Sequence, residues 1–355
     1  VLDMTGVVPA LGKEAMAEAC LQFVGGYENV AGEMLEQDFE LLREADNLGS
    51  IMKFNDDKDY LDMLRAHYED WTNGGTDDCP ADIKQLLPGV KVILALTEHY
   101  HALVMNPPYM GGGKMNSVLS KYVKDEYEEA KADLFSVFMD MGMDRLADGG
   151  KMAQINMQSW MFLSSFEKLR NIFLHNYIID SMLHLGPRTF DELSGEVVQN
   201  TAFVLTKPQD PYGRITLGEV KALPEAEKEM WKQRFMEDTE KDSNEWVINN
   251  AKGTYYRLVD GKNCADKEQL FLSHKNGNED GNRIYYPNVE QKNFEKIPGC
   301  PIGYWVSEQI IRIFDNEIIS NYGISDGQNI TGDNDKYLRF FWELSNRPKF
   351  RNTII

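Results

Sequence analysis

Tyr100-His101-Ala102-Leu103-Val104-Met105-Asn106-Pro107-Pro108-Tyr109 decides how the rest of the chain is read. The run through Met105 is short and apolar, which predicts a buried strand. Two prolines follow. Proline lacks the N–H that a ladder needs, so the strand must stop there. Met110-Gly111-Gly112-Gly113-Lys114 then reads as a loop whose glycines allow close approach to a ligand.

The tetrapeptide Asn106-Pro107-Pro108-Tyr109 has a chemistry of its own. The prolines fix the backbone and remove two donors. The Pro107 carbonyl and the Asn106 side-chain oxygen are then both acceptors that can face one ligand. An exocyclic amine carries two N–H donors, and two acceptors gripping it stabilise positive charge as its nitrogen attacks. Tyr109 offers a flat face for a planar ring. The arrangement suits transfer of a methyl group to an amino nitrogen on such a ring. An amine on a base of duplex DNA would have to be flipped out to reach it. By average residue usage the tetrapeptide arises by chance in about one chain in a thousand of this length. A Pro-Pro turn that merely ends a strand is the competing reading.

Outward from the motif, strand and helix signals alternate. Residues 10–48 read as helical with a break at Gly25-Gly26, and 56–70 as an amphipathic helix. Residues 72–81 are a loop by composition. Residues 117–131 and 133–147 read as helices, the second closed by Asp148-Gly149-Gly150. Strands are expected at 151–156, 178–185 and 201–205, with a helix over 164–176 between the first two. This order predicts an α/β domain with a mostly parallel sheet. After Pro208 the texture changes: 221–245 are crowded with charge, and 254–355 are richer in Gly, Asn, Pro and aromatics. A domain boundary is placed near residue 208.

The chain has 355 residues, 42% hydrophobic and 26% charged, which suits two globular domains. No apolar run reaches the roughly 20 residues needed to cross a bilayer, and the first residues do not read as a signal peptide. Cys20, Cys79, Cys264 and Cys300 form no C-x-x-C pair and read as free thiols of a reducing cytoplasm. The net charge of −20 argues against strong binding of nucleic acid by this piece alone. Val1 and Ile355 both read as cut ends of something longer.

Residues 95–207 resemble the gamma-type adenine-N6 DNA methyltransferases. The resemblance rests on the motif and on Asp133-Leu134-Phe135-Ser136-Val137-Phe138, similar to the helix that follows it in that family. Gln158 to Arg170, Gly195 to Phe203 and Thr331 to Arg339 narrow it to the PglX methyltransferases of BREX phage-defence systems. The family implies a class I methyltransferase sheet of Rossmann type, here partial, followed by a mixed α/β target-recognition region. It implies 1–207 as the C-terminal part of the catalytic domain and 208–355 as linker and start of target recognition. It implies S-adenosyl-L-methionine as cofactor. Asn106, Pro107, Pro108 and Tyr109 carry over as catalytic, Leu134 and Phe138 as cofactor-binding, and Phe203 as pressing on the flipped base. The implied partners are double-stranded DNA with a flipped adenine and proteins of the defence system.

One departure stands out. The family's glycine-rich cofactor turn, D-x-x-x-G-x-G, should precede the motif. Val1 to Val8 imitates its first half, but Val7 and Val8 put side chains where backbone should approach the cofactor. The expectation is a turn upstream of Val1 and a piece inactive by itself. Two other functions stay open: a protein glutamine methyltransferase, since a carboxamide presents a similar flat amine, and a non-catalytic piece that binds DNA or partners. Among smaller features, His99, His101, His175 and His184 read as packed or surface histidines. Asp133 reads as a helix cap. Trp160, Phe162 and the tyrosines at 255, 256, 285 and 286 read as core. Lys114, Arg170 and Arg188 are candidates for phosphate contact.

Overall fold

A computed structural model describes residues 7–26, 29–73, 79–190, 198–208, 224–225, 228, 248, 251–278 and 281–315. The charged stretch expected at 221–245 and the segment 331–339 lie essentially outside the described residues.

Before the motif strand the chain is helical. Helices α1 (Lys13–Phe23), α2 (Asn29–Leu42), α3 (Ala45–Leu48), α4 (Lys58–Asn73) and α5 (Ala81–Thr97) precede it. Met16, Cys20 and Phe23 from α1, Leu35, Phe39 and Leu42 from α2, and Leu86, Val90 and Ile93 from α5 are buried together. The helices approach closely at Gly89, where a Cβ would stand 2.3 Å from Phe39 and 2.8 Å from the Val7 carbonyl. Gly25 and Gly26 take positive φ and receive the end of α1 through N–H bonds to Gln22 and Leu21. They end a helix rather than follow a strand. Helix α5 has no counterpart in the sequence reading. Pro88 lies inside it and costs it an internal hydrogen bond. Its apolar face, fully buried at Ile83, Leu86, Val90 and Ile93, outweighs that cost.

The second half builds the sheet. It holds β1 (Tyr100–Met105), β2 (Leu146–Met157), β3 (Ile178–Gly186), β4 (Asn200–Thr206), β5 (Lys252–Arg257) and β6 (Tyr285–Glu290), in the order β1-β2-β4-β3-β5-β6. Helices α6 (Ser117–Glu126) and α7 (Leu134–Asp144) lie between β1 and β2 in the chain, α8 (Glu167–Asn176) precedes β3, and α9 (Cys264–His274) lies between β5 and β6. Pairs β1/β2 and β3/β5 are parallel, whereas β4 runs antiparallel to both neighbours and β6 antiparallel to β5. The fold is mixed α/β with a mixed sheet. The expectation of a mostly parallel sheet is corrected: β4 inserts between β2 and β3 and reverses direction there, and periodicity carries no sign of strand direction.

Two further points differ from the sequence reading. Strand β1 is not buried. It is an edge strand among the described residues, with Val104 83% exposed and no residue fully covered. An apolar run reports only that a strand has something to bury, not that this chain covers it. The compact unit also runs past residue 208, through Val306, because β5 and β6 extend the same sheet. Composition marks a change of texture and is blind to pairing between distant strands. Ser307–Ile355 form a second unit. Its described part is a short helix, α10 (Glu308–Ile311), capped by the Ser307 hydroxyl and followed by a 3-10 turn at Arg312–Asp315.

Candidate functional site

The motif follows β1 directly. Asn106 is exposed, Pro107 buried, Pro108 exposed and Tyr109 half-buried. The loop after it is pinned to the start of α7. Asp133 opens that helix and its Oδ1 accepts from the Phe135 N–H at 3.2 Å and from the Met110 N–H at 2.9 Å. The Leu134 N–H returns a bond to the Met110 carbonyl at 3.0 Å, and the Gly112 N–H donates to Ala132 at 3.1 Å. Asp133 is therefore the helix cap the sequence suggested. It is also a brace that fixes the backbone immediately beyond Tyr109.

The Tyr109 ring meets the edge of Phe135 with centroids 6.2 Å apart and planes at 87°. Phe135 in turn packs on Phe166. The Tyr109 hydroxyl accepts a hydrogen bond from Asn200 Nδ2 at 2.9 Å. Burial, and secondarily the charge of Asp133, push the phenol's pKa up, and the Asn200 bond only partly opposes this. At neutral pH Tyr109 is a neutral phenol, suited to stacking and not to base catalysis.

Asn200 begins β4, and the antiparallel course of β4 brings its first residue to the end of β2, opposite Met157. Asn156 and Asn200 form a buried polar row. Trp160 Nε1 donates to Asn156 Oδ1 at 2.8 Å, and Asn200 Nδ2 also donates to the Asn156 carbonyl at 3.3 Å. Gln154, Asn156, Asn200 and Thr201 are all buried, and Gln154 Nε2 and Asn200 Oδ1 have no hydrogen-bond partner among the described residues. Unpaired buried polar atoms are costly and concentrate where function requires them. The sequence reading passed over Asn200. The only available signal was a polar residue at the start of an apolar strand.

The other expected site residues are dispersed. Leu134 is buried and Phe138 half-buried one turn further on, so they share a face of α7 beside the motif loop. Phe203 is buried, edge-on to Trp160 at 5.0 Å. It faces the core in this structure and does not meet Tyr109. Phe162 is half-buried and lies 5.7 Å from Trp305 and 6.0 Å from His184. His184 is buried between Tyr304 and Gln158, and burial, with Arg257 and Lys267 nearby, pulls its pKa down to about 4. Arg170 is removed from the phosphate candidates. It is 1% exposed and spends its guanidinium on the carbonyls of Trp160, Leu163 and Gly299. Tyr255 and Tyr286 are core, as expected.

A cavity of about 390 Å³ lies near the other end of β1, lined by Lys53, His99, Tyr127, Asp144 and Arg145 among others. Lys53 is already paired with Asp144 at 3.2 Å and sits 4.2 Å over the Tyr127 ring. That cluster satisfies itself and is remote from the motif.

The residues fit S-adenosylmethionine only in part. Leu134 and Phe138 offer an apolar flank. Among the described residues no strand followed by a glycine-rich turn precedes β1, because Gly25-Gly26 end a helix. No complete cofactor cradle is present in them.

The strand ending in Asn-Pro-Pro-Tyr and the capped helix that braces it both lie within a stretch shared with known methylases. Residues 31–190 match the family model of the Eco57I restriction-modification methylase. More particularly, the chain is similar to two adenine-specific methyltransferases. It is 35% identical over 263 residues to adenine-specific methyltransferase PglX of Lacticaseibacillus casei (strain Zhang), covering 72% of this chain and 18% of that protein. It is 31% identical over 314 residues to adenine-specific methyltransferase BrxX of Escherichia coli O9:H4 (strain HS), covering 88% of this chain and 22% of that protein. The chain thus spans about a fifth of the length of these relatives. Among solved structures it is similar to a type I restriction-modification methyltransferase subunit from Streptococcus thermophilus, with a TM-score of 0.35 and 12% identity over 62% of this chain and 46% of that one.

Proposed function

We propose that this chain is part of an adenine-N6 DNA methyltransferase of a phage-defence or restriction–modification system. The observation that carries the reading is the state of the motif. Asn106 is exposed at the end of a strand, and Tyr109 stands beside it with its hydroxyl tethered and its backbone braced. In this reading the Asn106 side-chain oxygen and the Pro107 carbonyl accept the two N–H bonds of the amine. Tyr109 stacks on the adenine ring, turned out of the duplex. S-adenosylmethionine supplies the methyl group when bound, and Leu134 and Phe138 form one wall of its pocket. Phe203 is retained in a substrate-side role only if the core around Trp160 rearranges on binding.

In the same reading residues 1–207 supply the later part of the catalytic domain and 208–355 begin target recognition, although two strands after 208 complete the sheet. Double-stranded DNA is the substrate, proteins of the defence system are partners, and the setting is the cytoplasm. No helix among the described residues is long and apolar enough to cross a membrane.

A second reading has its own support. The charge of −20 and the lack, among the described residues, of a glycine-rich turn before β1 favour a piece that does not methylate by itself. The experiment is to incubate the intact protein and this chain separately with DNA and S-adenosylmethionine, then measure N6-methyladenine by mass spectrometry. Product from the intact protein alone is the expected result. Methylation of glutamine peptides in place of DNA would move the assignment to the protein methyltransferases that share the tetrapeptide.

A further inference from the structure

We infer that Asn200 is a positioning residue that sets the Tyr109 ring for stacking. The inference rests on the proposed reaction at the motif. Three observations carry it.

First, Asn200 Nδ2 donates to the Tyr109 hydroxyl at 2.9 Å, across 91 residues of sequence. The ring is held at its far end by this bond, at its edge by Phe135, and through its backbone by the Asp133 brace. The hydroxyl oxygen lies on the χ2 axis, so the bond fixes the direction of the ring (χ1) while the Phe135 contact limits its plane. Without the bond the ring can swing about χ1, and a stacking platform loses preorganisation.

Second, the amide orientation is set by its surroundings. The same Nδ2 lies 3.3 Å from the Asn156 carbonyl, which can only accept. A flipped amide would put two acceptors together there. The nitrogen therefore faces Tyr109, and the phenol oxygen accepts, leaving its own proton free for another partner.

Third, the arrangement is not what stability alone requires. Asn200 is 1% exposed, and its Oδ1 has no hydrogen-bond partner among the described residues. A bare buried acceptor is a standing penalty, and a side chain chosen only to fill this space would avoid it. The gain that offsets it is the hold on Tyr109.

The test is a double-mutant cycle in the intact protein, reading the single-turnover rate of adenine methylation and the affinity for DNA separately. Asn200→Ala and Tyr109→Phe are each expected to slow the rate about fivefold to tenfold with DNA affinity within twofold of wild type. The double variant should be no slower than either single variant, because both remove the same bond. Multiplying penalties in the double variant would overturn the inference, since a residue that only supports the fold acts independently of the Tyr109 hydroxyl. Tyr109→Phe keeps the ring and its Phe135 contact, so an unchanged rate in it overturns the inference even if Asn200→Ala is unstable. Asn200→Asp, nearly isosteric but lacking the donor, should also be slow. If the wild-type protein makes no N6-methyladenine, the proposed function itself falls. If it does and the penalties multiply, only the role of Asn200 falls.

Discussion

Arg170 shows how much a single side chain can be worth when four of its five N–H donors are spent inside the protein. Its bonds to the carbonyls of Trp160, Leu163 and Gly299 tie the segment after β2 to the segment around residue 300. Arg170→Ala should lower stability by on the order of 3 kcal/mol, since it opens a void and strands the carbonyls. Urea denaturation reads this directly. A loss under about 0.5 kcal/mol would mean the strut is not needed. His184 makes a prediction in pH. Its folded pKa, about 4, lies below its ordinary value of 6.5, so the unfolded chain takes up the proton first. Its contribution to stability is whole above about pH 6.5 and falls as pH drops through 6.5 toward 4. Relative to His184→Gln, the wild type should lose on the order of 3 kcal/mol across that window. A constant difference between the two would contradict it. At this scale the sequence announced the Asp133 cap and singled out Asn106 and Tyr109 as candidates, because local chemistry defines a cap or suggests a clamp. It could not announce Asn200 or exclude Arg170. Their roles depend on contacts across 91 and 129 residues, which no local pattern records.

Among the elements, those with clean periodicity were legible: α1, α2, α4, α7, α8, β1, β3 and β4 lie within a few residues of the expected places. Helix α5 was not, because Pro88-Gly89 in its middle reads as punctuation. The structure gives Gly89 a purpose, since it lets α5 close onto α2. Gly89→Ala places a methyl against the Phe39 ring and the Val7 carbonyl. It should destabilise the chain by about 1–3 kcal/mol, measurable as a lowered thermal midpoint. An unchanged or raised midpoint would show that α5 yields freely. Strand direction was equally illegible. That β4 runs antiparallel between β2 and β3 is what carries Asn200 to Tyr109, and only the pairing register reveals it.

For the whole molecule the governing facts are the charge of −20 and the absence, among the described residues, of a strand and glycine-rich turn before β1. The missing turn predicts that this chain, titrated calorimetrically with S-adenosylmethionine, gives no detectable binding. The charge predicts DNA affinity no better than the non-specific range of about 10⁻⁴ to 10⁻⁶ M at physiological salt. Micromolar cofactor binding would mean that residues 1–50 form part of a working site. The central claim concerns the motif, and one measurement reaches it most directly. In the intact protein, Asn106→Ala and Tyr109→Ala are assayed beside wild type for N6-methyladenine formation, with thermal melting to verify the fold. The account predicts normal melting and methylation reduced by about 100-fold or more in both variants. Normal melting with near-wild-type methylation would contradict it.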